Sequence, residues 1–347
     1  MTASGTTQAG YRVHAWGEDP VWEEFERGTP GPGEVAVDVE ACGVGLTVLN
    51  CIDGNLADER ASLPVVPGHE LVGRVTTTGA GVDRALTGRR VAAYFYRYCG
   101  SCSECQAGRQ SRCADLDGWV GVHSDGGYAP STVLPARNAV VLENDLDPVS
   151  ATVVADAVAT PVHVCGTRAR VTPDDRVAVI GAGGGVGAHM VQVAAIFGAR
   201  VAGLDVGDAK LALVEELGAV AADSSDFQAV DAGLWPDGPP TVVIDLLGSD
   251  ESLAWAGEAL AMGGRMVVLT TFPGRSTALD PRELVFREIT VLGSRYASVA
   301  DVRVAADLVR TGRVRPIIGQ VVEPAGVPDL HDALRKGDLV GRGALVW

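Results

Sequence analysis

Four cysteines, Cys99, Cys102, Cys105 and Cys113, fall in the spacing C-x2-C-x2-C-x7-C within YCGSCSECQAGRQSRC. Four thiolates gathered by a tight loop, here carrying Gly100 and Gly108, close a tetrahedron around Zn2+. A closed four-sulfur shell leaves no position for water or substrate, so a zinc held there is structural. An iron–sulfur signature has a shorter final gap followed by proline, whereas here the gap is seven and Ala114 follows. The other cysteines are Cys42, Cys51 and Cys165, which makes seven in all. An odd count with a dense cluster argues, in a reducing compartment, for metal rather than disulfides.

A second pattern runs from Arg176 to Asp205, RVAVIGAGGGVGAHMVQVAAIFGARVAGLD. Val177–Ile180 has the length and composition of a buried parallel strand, and Arg200–Leu204 is a second apolar run. Between them, Gly181, Gly184, Gly185, Val186 and Gly187 form a glycine-rich turn, followed by apolar residues at helical spacing (Met190, Val193, Ala194, Phe197). The glycines let the backbone approach a pyrophosphate, whose charge rests on the N–H groups and dipole of a helix N-terminus. Asp205, eighteen residues after Gly187, stands where a carboxylate accepts hydrogen bonds from a ribose. A 2′-phosphate there would meet a like charge, so the pattern favours NAD over NADP.

The elements that must carry these residues change texture along the chain. From Tyr11 to Val141, short apolar runs such as Glu34–Val39, Glu70–Val75 and Arg90–Phe95 are cut by Gly and Pro, as in a β-rich domain. Residues 1 to about 10 are small and polar and read as a disordered tail. Ala151–Ala169 reads as a helix. Strand and helix signals then alternate to about residue 295, with helices at Lys210–Leu217 and Ser252–Ala261 and strands at Thr241–Leu246, Arg265–Leu269 and Glu288–Leu292. That is the order of a doubly wound parallel sheet. A helix at Val299–Arg310 and an apolar end at Gly343–Trp347 follow.

At 347 residues, two domains are expected. A formal charge of −16 disfavours a nucleic-acid or anionic-membrane partner. No apolar run reaches the length of a membrane span, and MTASGTTQAG lacks a signal-peptide pattern, so a cytoplasmic protein is expected.

Taken together and in this order, the motifs resemble the zinc-containing alcohol dehydrogenases of the medium-chain dehydrogenase/reductase superfamily, over nearly the whole chain. ACGVGLTVLN (Ala41–Asn50) is similar to that family's ACGVCxTDxH, and Pro64–Val75 to its PxxxGHExxGxV. The four-cysteine loop fits, and Asp125–Ala129 matches its DGGFA segment closely. The resemblance implies a GroES-like catalytic domain over residues 1–157, a Rossmann NAD-binding domain over 158–297, and a segment 298–347 returning to the first. It also implies a homodimer or homotetramer acting on a small-molecule substrate. Lys210 then falls where NAD-dependent members touch the ribose, Arg342 in KGDLVGR where an arginine meets the pyrophosphate, and Phe95 where aromatics line the substrate pocket.

The resemblance breaks at one place. The family holds a second, catalytic zinc with a cysteine, a histidine and a third ligand, and a glutamate beside the histidine. His69 and Glu70 stand in position, and Asp156 falls where some members use aspartate. The cysteine, however, is Gly45, the aspartate that orients the site is Val48, and the proton-relay histidine is Asn50. Thr47 keeps the hydroxyl that hands on the substrate proton. Three readings stay open: an NAD(H)-dependent alcohol/carbonyl oxidoreductase using zinc on His69, Glu70 and Asp156; a zinc-independent reductase of activated C=C or C=N bonds; and a nucleotide-binding protein without catalysis. Cys42 and Cys51 lie near Gly45 in sequence but are disfavoured as substitute ligands, since the resemblance gives Cys42 a non-ligand position and Cys51 would project the wrong way from its turn. A cysteine restored at position 45 is expected to raise zinc content.

Overall fold

The strand Glu34–Val44 organises the first half of the molecule. Val35, Val37 and Val39 are buried on its alternate positions, and from Ala41 to Val44 every residue is buried. Such a change from one buried face to two marks a strand entering the middle of a sheet. The sheet order is Ile318–Val322, Arg342–Val346, Glu34–Val44, Glu70–Thr78, Arg90–Ala93 and Ala139–Val141, with Ser131–Pro135 also paired to Glu34–Val44. The register sets Gly43 opposite both Glu70 and Ala344, and Val44 opposite Gly343. Arg342 is thereby carried to the level of Gly45.

The structure is a computed structural model that describes residues 6–231, 234–270, 276–278 and 280–347. Its chain forms two units: residues 1–159, 297–312 and 318–347, and residues 160–296 with 313–317. The second unit holds a six-stranded, wholly parallel sheet in the order Val220–Asp223, Arg200–Asp205, Arg176–Ile180, Val242–Asp245, Arg265–Val268, Thr290–Gly293. In sequence order that is 3-2-1-4-5-6, the doubly wound dinucleotide-binding arrangement. Its core includes Ile180, Leu204, Val243, Trp255 and Met266.

The fold departs from the sequence reading in several places. Thr7–Arg12 is a strand in register with Val21–Glu26, not part of a tail, because Tyr11 is buried and its N–H donates to Tyr128 C=O at 2.9 Å. Residues 1–5 of the expected tail lie outside the described residues. Val220–Asp223 is an additional edge strand whose alternation is too weakly apolar to signal itself. Pro148–Arg168 is broken into short helical pieces with a turn at 155–158, and although it is long and apolar enough to cross a membrane, most of it is buried in protein. Finally, Arg313–Ile317 belongs to the second unit. Gln192 accepts the Arg315 N–H at 2.8 Å and donates to its C=O at 3.0 Å, which ties that segment to the helix Gly187–Ile196.

Candidate active site and metal centres

In the second unit the glycine turn is built as its spacing implied. Gly181 has φ +82°, a conformation that strains any residue with a side chain, and a Cβ on Gly187 would overlap the Gly181 carbonyl, so that position accepts none without moving backbone. The helix Gly187–Ile196 follows with Val186 at its N-cap and no side-chain cap, and the Ala188 N–H turns back onto the Gly184 carbonyl at 2.9 Å. Gly184 continues the turn through its N–H on Gly181 C=O at 3.3 Å. Asp205, buried at the end of its strand, accepts the Gly183 N–H at 2.7 Å and the Val206 N–H at 2.8 Å. Lys210 Nζ stands 3.6 Å from the same carboxylate.

His189 was not singled out by its sequence surroundings, yet it is fully buried. It lies one helical turn after Gly185, and its Nδ1 is 2.6 Å from the Gly185 carbonyl. Its Nε2 is 3.0 Å from the Ile317 N–H. A carbonyl needs a donor and an amide an acceptor, so the geometry assigns the neutral tautomer with the proton on Nδ1. The only sequence signal was a histidine four residues after a glycine of the turn, where i,i+4 side chains meet backbone.

In the first unit the sulfurs of Cys99, Cys102, Cys105 and Cys113 lie within 4.8 Å of one another. The separations Cys99–Cys105, Cys102–Cys113 and Cys99–Cys113 are 3.9, 4.0 and 3.5 Å, near the roughly 3.8 Å edge of a tetrahedron with Zn–S bonds of about 2.3 Å. The Cys102 and Ser101 N–H groups point at the Cys99 sulfur and hold its thiol down at about 6. Burial pushes Cys105 up to about 12, a cost that a cation would reverse. The donor set fits a closed zinc shell.

His69, Glu70 and Asp156 also converge in the first unit, all buried. Gly68, at φ +97°, turns the chain so that His69 and Glu70 enter the strand Glu70–Thr78 at its buried end. His69 Nε2 is 3.4 Å from Asp156 Oδ2, and Phe95 packs on the imidazole with ring centroids 4.3 Å apart. Thr47 is half-buried on the helix Leu46–Ile52, and Asn50 on that helix accepts from Asn55 at 3.3 Å. Cys42 and Cys51 are buried but are not members of the ligand cluster.

The alcohol dehydrogenase GroES-like domain model matches residues 31–144, and the zinc-binding dehydrogenase model residues 185–311. An alcohol dehydrogenase of Geobacillus stearothermophilus is 31% identical over 326 residues, covering 92% of this chain and 93% of its own. The chain belongs to the zinc-containing alcohol dehydrogenase family. An NAD-dependent alcohol dehydrogenase of Sulfolobus acidocaldarius is 29% identical, over 96% of this chain and 98% of its own. Among solved structures, a thermostable alcohol dehydrogenase from Pyrobaculum aerophilum superposes with a TM-score of 0.89 at 29% identity, covering 99% of this chain and 100% of that one. This alcohol dehydrogenase-like oxidoreductase therefore has the GroES-like and Rossmann parts that its motifs implied.

One residue of this family member is placed differently from the expectation. Arg342, expected at the pyrophosphate, is 3% exposed and turned onto the His69 cluster. Its Nε donates to Glu70 Oε2 at 2.8 Å, its Nη2 is ion-paired with the same oxygen, and Nη2 is 3.9 Å from Asp156 Oδ2. Burial opposes the Arg342 charge, but Glu70 and Asp156 outweigh it and hold the guanidinium protonated. Burial likewise pushes the Glu70 carboxyl up, against the pull of Arg342.

The family's catalytic zinc does not fit this arrangement. Such a site takes three protein ligands, and position 45 offers none. Of the remaining donors, Glu70 Oε2 is held by Arg342, which leaves Oε1 as that carboxylate's one buried oxygen without a hydrogen bond. The fixed Arg342 guanidinium already supplies the positive charge that the two carboxylates attract, and it opposes a divalent ion placed beside it.

Proposed function

We propose that this chain is an NAD(H)-dependent oxidoreductase that moves a hydride between the nicotinamide and a small alcohol or carbonyl compound. The observation that carries it is Asp205: a carboxylate locked to the glycine turn at the end of the second Rossmann strand. There it offers acceptors to ribose hydroxyls and repels a 2′-phosphate, with Lys210 alongside as a donor. The Gly181–Gly187 turn and the uncapped helix start would hold the pyrophosphate. Bound NADH supplies the hydride. This chain's own residues position the acceptor: Thr47 offers a hydroxyl to take or give the substrate proton, and Phe95 walls the His69 side of the site.

The loop Cys99–Cys113 is proposed to hold one structural zinc, supported by its tetrahedral sulfur spacing. A second reading of the acceptor draws support from Gly45 and Arg342. Without a Lewis acid on the carbonyl oxygen, hydride passes more readily to an electron-poor carbon, as at the β-carbon of an unsaturated carbonyl. Oxidation of NADH and NADPH with matched saturated aldehydes, ketones and enals tests both readings. NADH consumption with carbonyls supports the first, and consumption confined to enals supports the second. Turnover with NADPH alone, or none with either, would sink the proposal.

A further inference from the structure

Gly45 has φ −149° and ψ −178°, extended backbone that any residue adopts, so its conformation gives no reason for glycine. Space does. A Cβ built on Gly45 would overlap Arg342 Nη1 and Cζ and lie 3.0 Å from Nε. The tip of an arginine is ordinarily free to swing away, but this one is 3% exposed and tied to Glu70 and Asp156. Moving it would leave a buried carboxylate without its cation. The sheet register explains the meeting, since Val44 pairs with Gly343 and the next residues on the two strands face each other.

We infer that Arg342 is the resident cation of this site: it fills the space of the missing residue-45 side chain, neutralises Glu70 and excludes a divalent ion from His69, Glu70 and Asp156. The guanidinium and the metal are alternatives, and Gly45 selects the guanidinium. Asp156 then acts on His69 rather than on a metal, through the 3.4 Å contact with Nε2. The inference goes beyond the proposed function and favours its second reading of the acceptor, while the cation assignment itself stands on the geometry of Gly45, Arg342 and Glu70. It makes the zinc of this chain entirely the zinc of the four cysteines. It also reverses the sequence expectation for Gly45→Cys, because an added thiol has no room while Arg342 stays.

Zinc is counted by mass spectrometry of the full chain purified in zinc-containing buffer, and the readout is the zinc that His69→Ala removes. One equivalent is expected in the wild type, in His69→Ala and in Gly45→Cys. The double variant Gly45→Cys/Arg342→Ala is expected to gain a second, which His69→Ala abolishes. A wild-type equivalent lost in His69→Ala overturns the inference, as does a second equivalent in Gly45→Cys alone. A double variant that keeps the four-cysteine zinc and gains nothing overturns the role of Arg342. Should the double variant not fold, the three other proteins still decide, one equivalent in each supporting the inference and a His69-dependent second overturning it. The count needs no turnover. NADH oxidation that fails beside a count of one sinks the proposed function and leaves the cation assignment standing.

Discussion

The carboxylate of Asp205 accepts the N–H of Gly183 across the nucleotide unit at 2.7 Å. The residue expected to read the ribose therefore also fixes the shape of the turn proposed to hold the pyrophosphate. Asp205→Ala removes both tasks. A hydrogen bond to a charged group contributes about 1.5–3 kcal/mol, so NADH affinity should fall roughly tenfold to a hundredfold. NADPH, lacking the ribose contact and relieved of repulsion, should change far less. Titration calorimetry with both cofactors checks this, and an unchanged NADH/NADPH ratio would remove Asp205 as the selector.

His189 connects the glycine turn to the segment Arg313–Ile317. His189→Leu leaves the Gly185 carbonyl and the Ile317 N–H without their partner, at about 1–3 kcal/mol each. Faster hydrogen exchange at the Ile317 amide is the expected sign, with weaker NADH binding. Exchange as slow as in the wild type would mean the imidazole only fills space.

Cys105→Ser should release the proposed zinc and loosen the loop that carries Arg109 and Arg112. Tryptic cleavage at those arginines should accelerate, and the same pattern should follow strong chelation of the wild type. Zinc content that survives Cys105→Ser would contradict the four-sulfur assignment.

A pH dependence follows from His331, which is 2% exposed and whose Nε2 lies 2.9 Å from the Tyr128 hydroxyl. Burial first, then the nearby Arg335 charge, pull its imidazole down from 6.5 to about 4, while Asp19 and Asp332 oppose this weakly. The unfolded chain thus takes the proton first. The stabilisation is complete above about pH 6.5 and is lost as the pH falls toward 4, by roughly 3 kcal/mol in total. Thermal melts across this window should show the slope in the wild type and a flatter one in His331→Leu. That variant should also be less stable at pH 8, where Tyr128 loses its acceptor.

Breaking the Glu70–Arg342 pair from either side leaves an uncompensated buried charge. Glu70→Gln and Arg342→Met should each cost about 3–5 kcal/mol, and the double variant clearly less than their sum. Denaturant unfolding of all four proteins measures the coupling. Additive costs would mean the two side chains are not energetically joined.

The nucleotide half was legible because its signals are local. A strand, a glycine turn, a helix and Asp205 follow one another within thirty residues, and backbone sterics leave that string few other conformations. The convergence of the four cysteines was legible for the same reason, since four thiols within fifteen residues reach a common point by loop geometry alone. Even Gly45 announced itself, as a position where a ligand was missing. What took its place did not. Gly45 and Arg342 are almost three hundred residues apart in sequence and meet only because antiparallel strands put Val44 beside Gly343. His189 and Ile317 likewise join through a segment that leaves one unit's sequence and packs with the other. Sequence determined which groups are available and the local turns that carry them. Tertiary structure decided which buried charge each one faces, because burial and strand register, not spacing, set which partner neutralises a carboxylate.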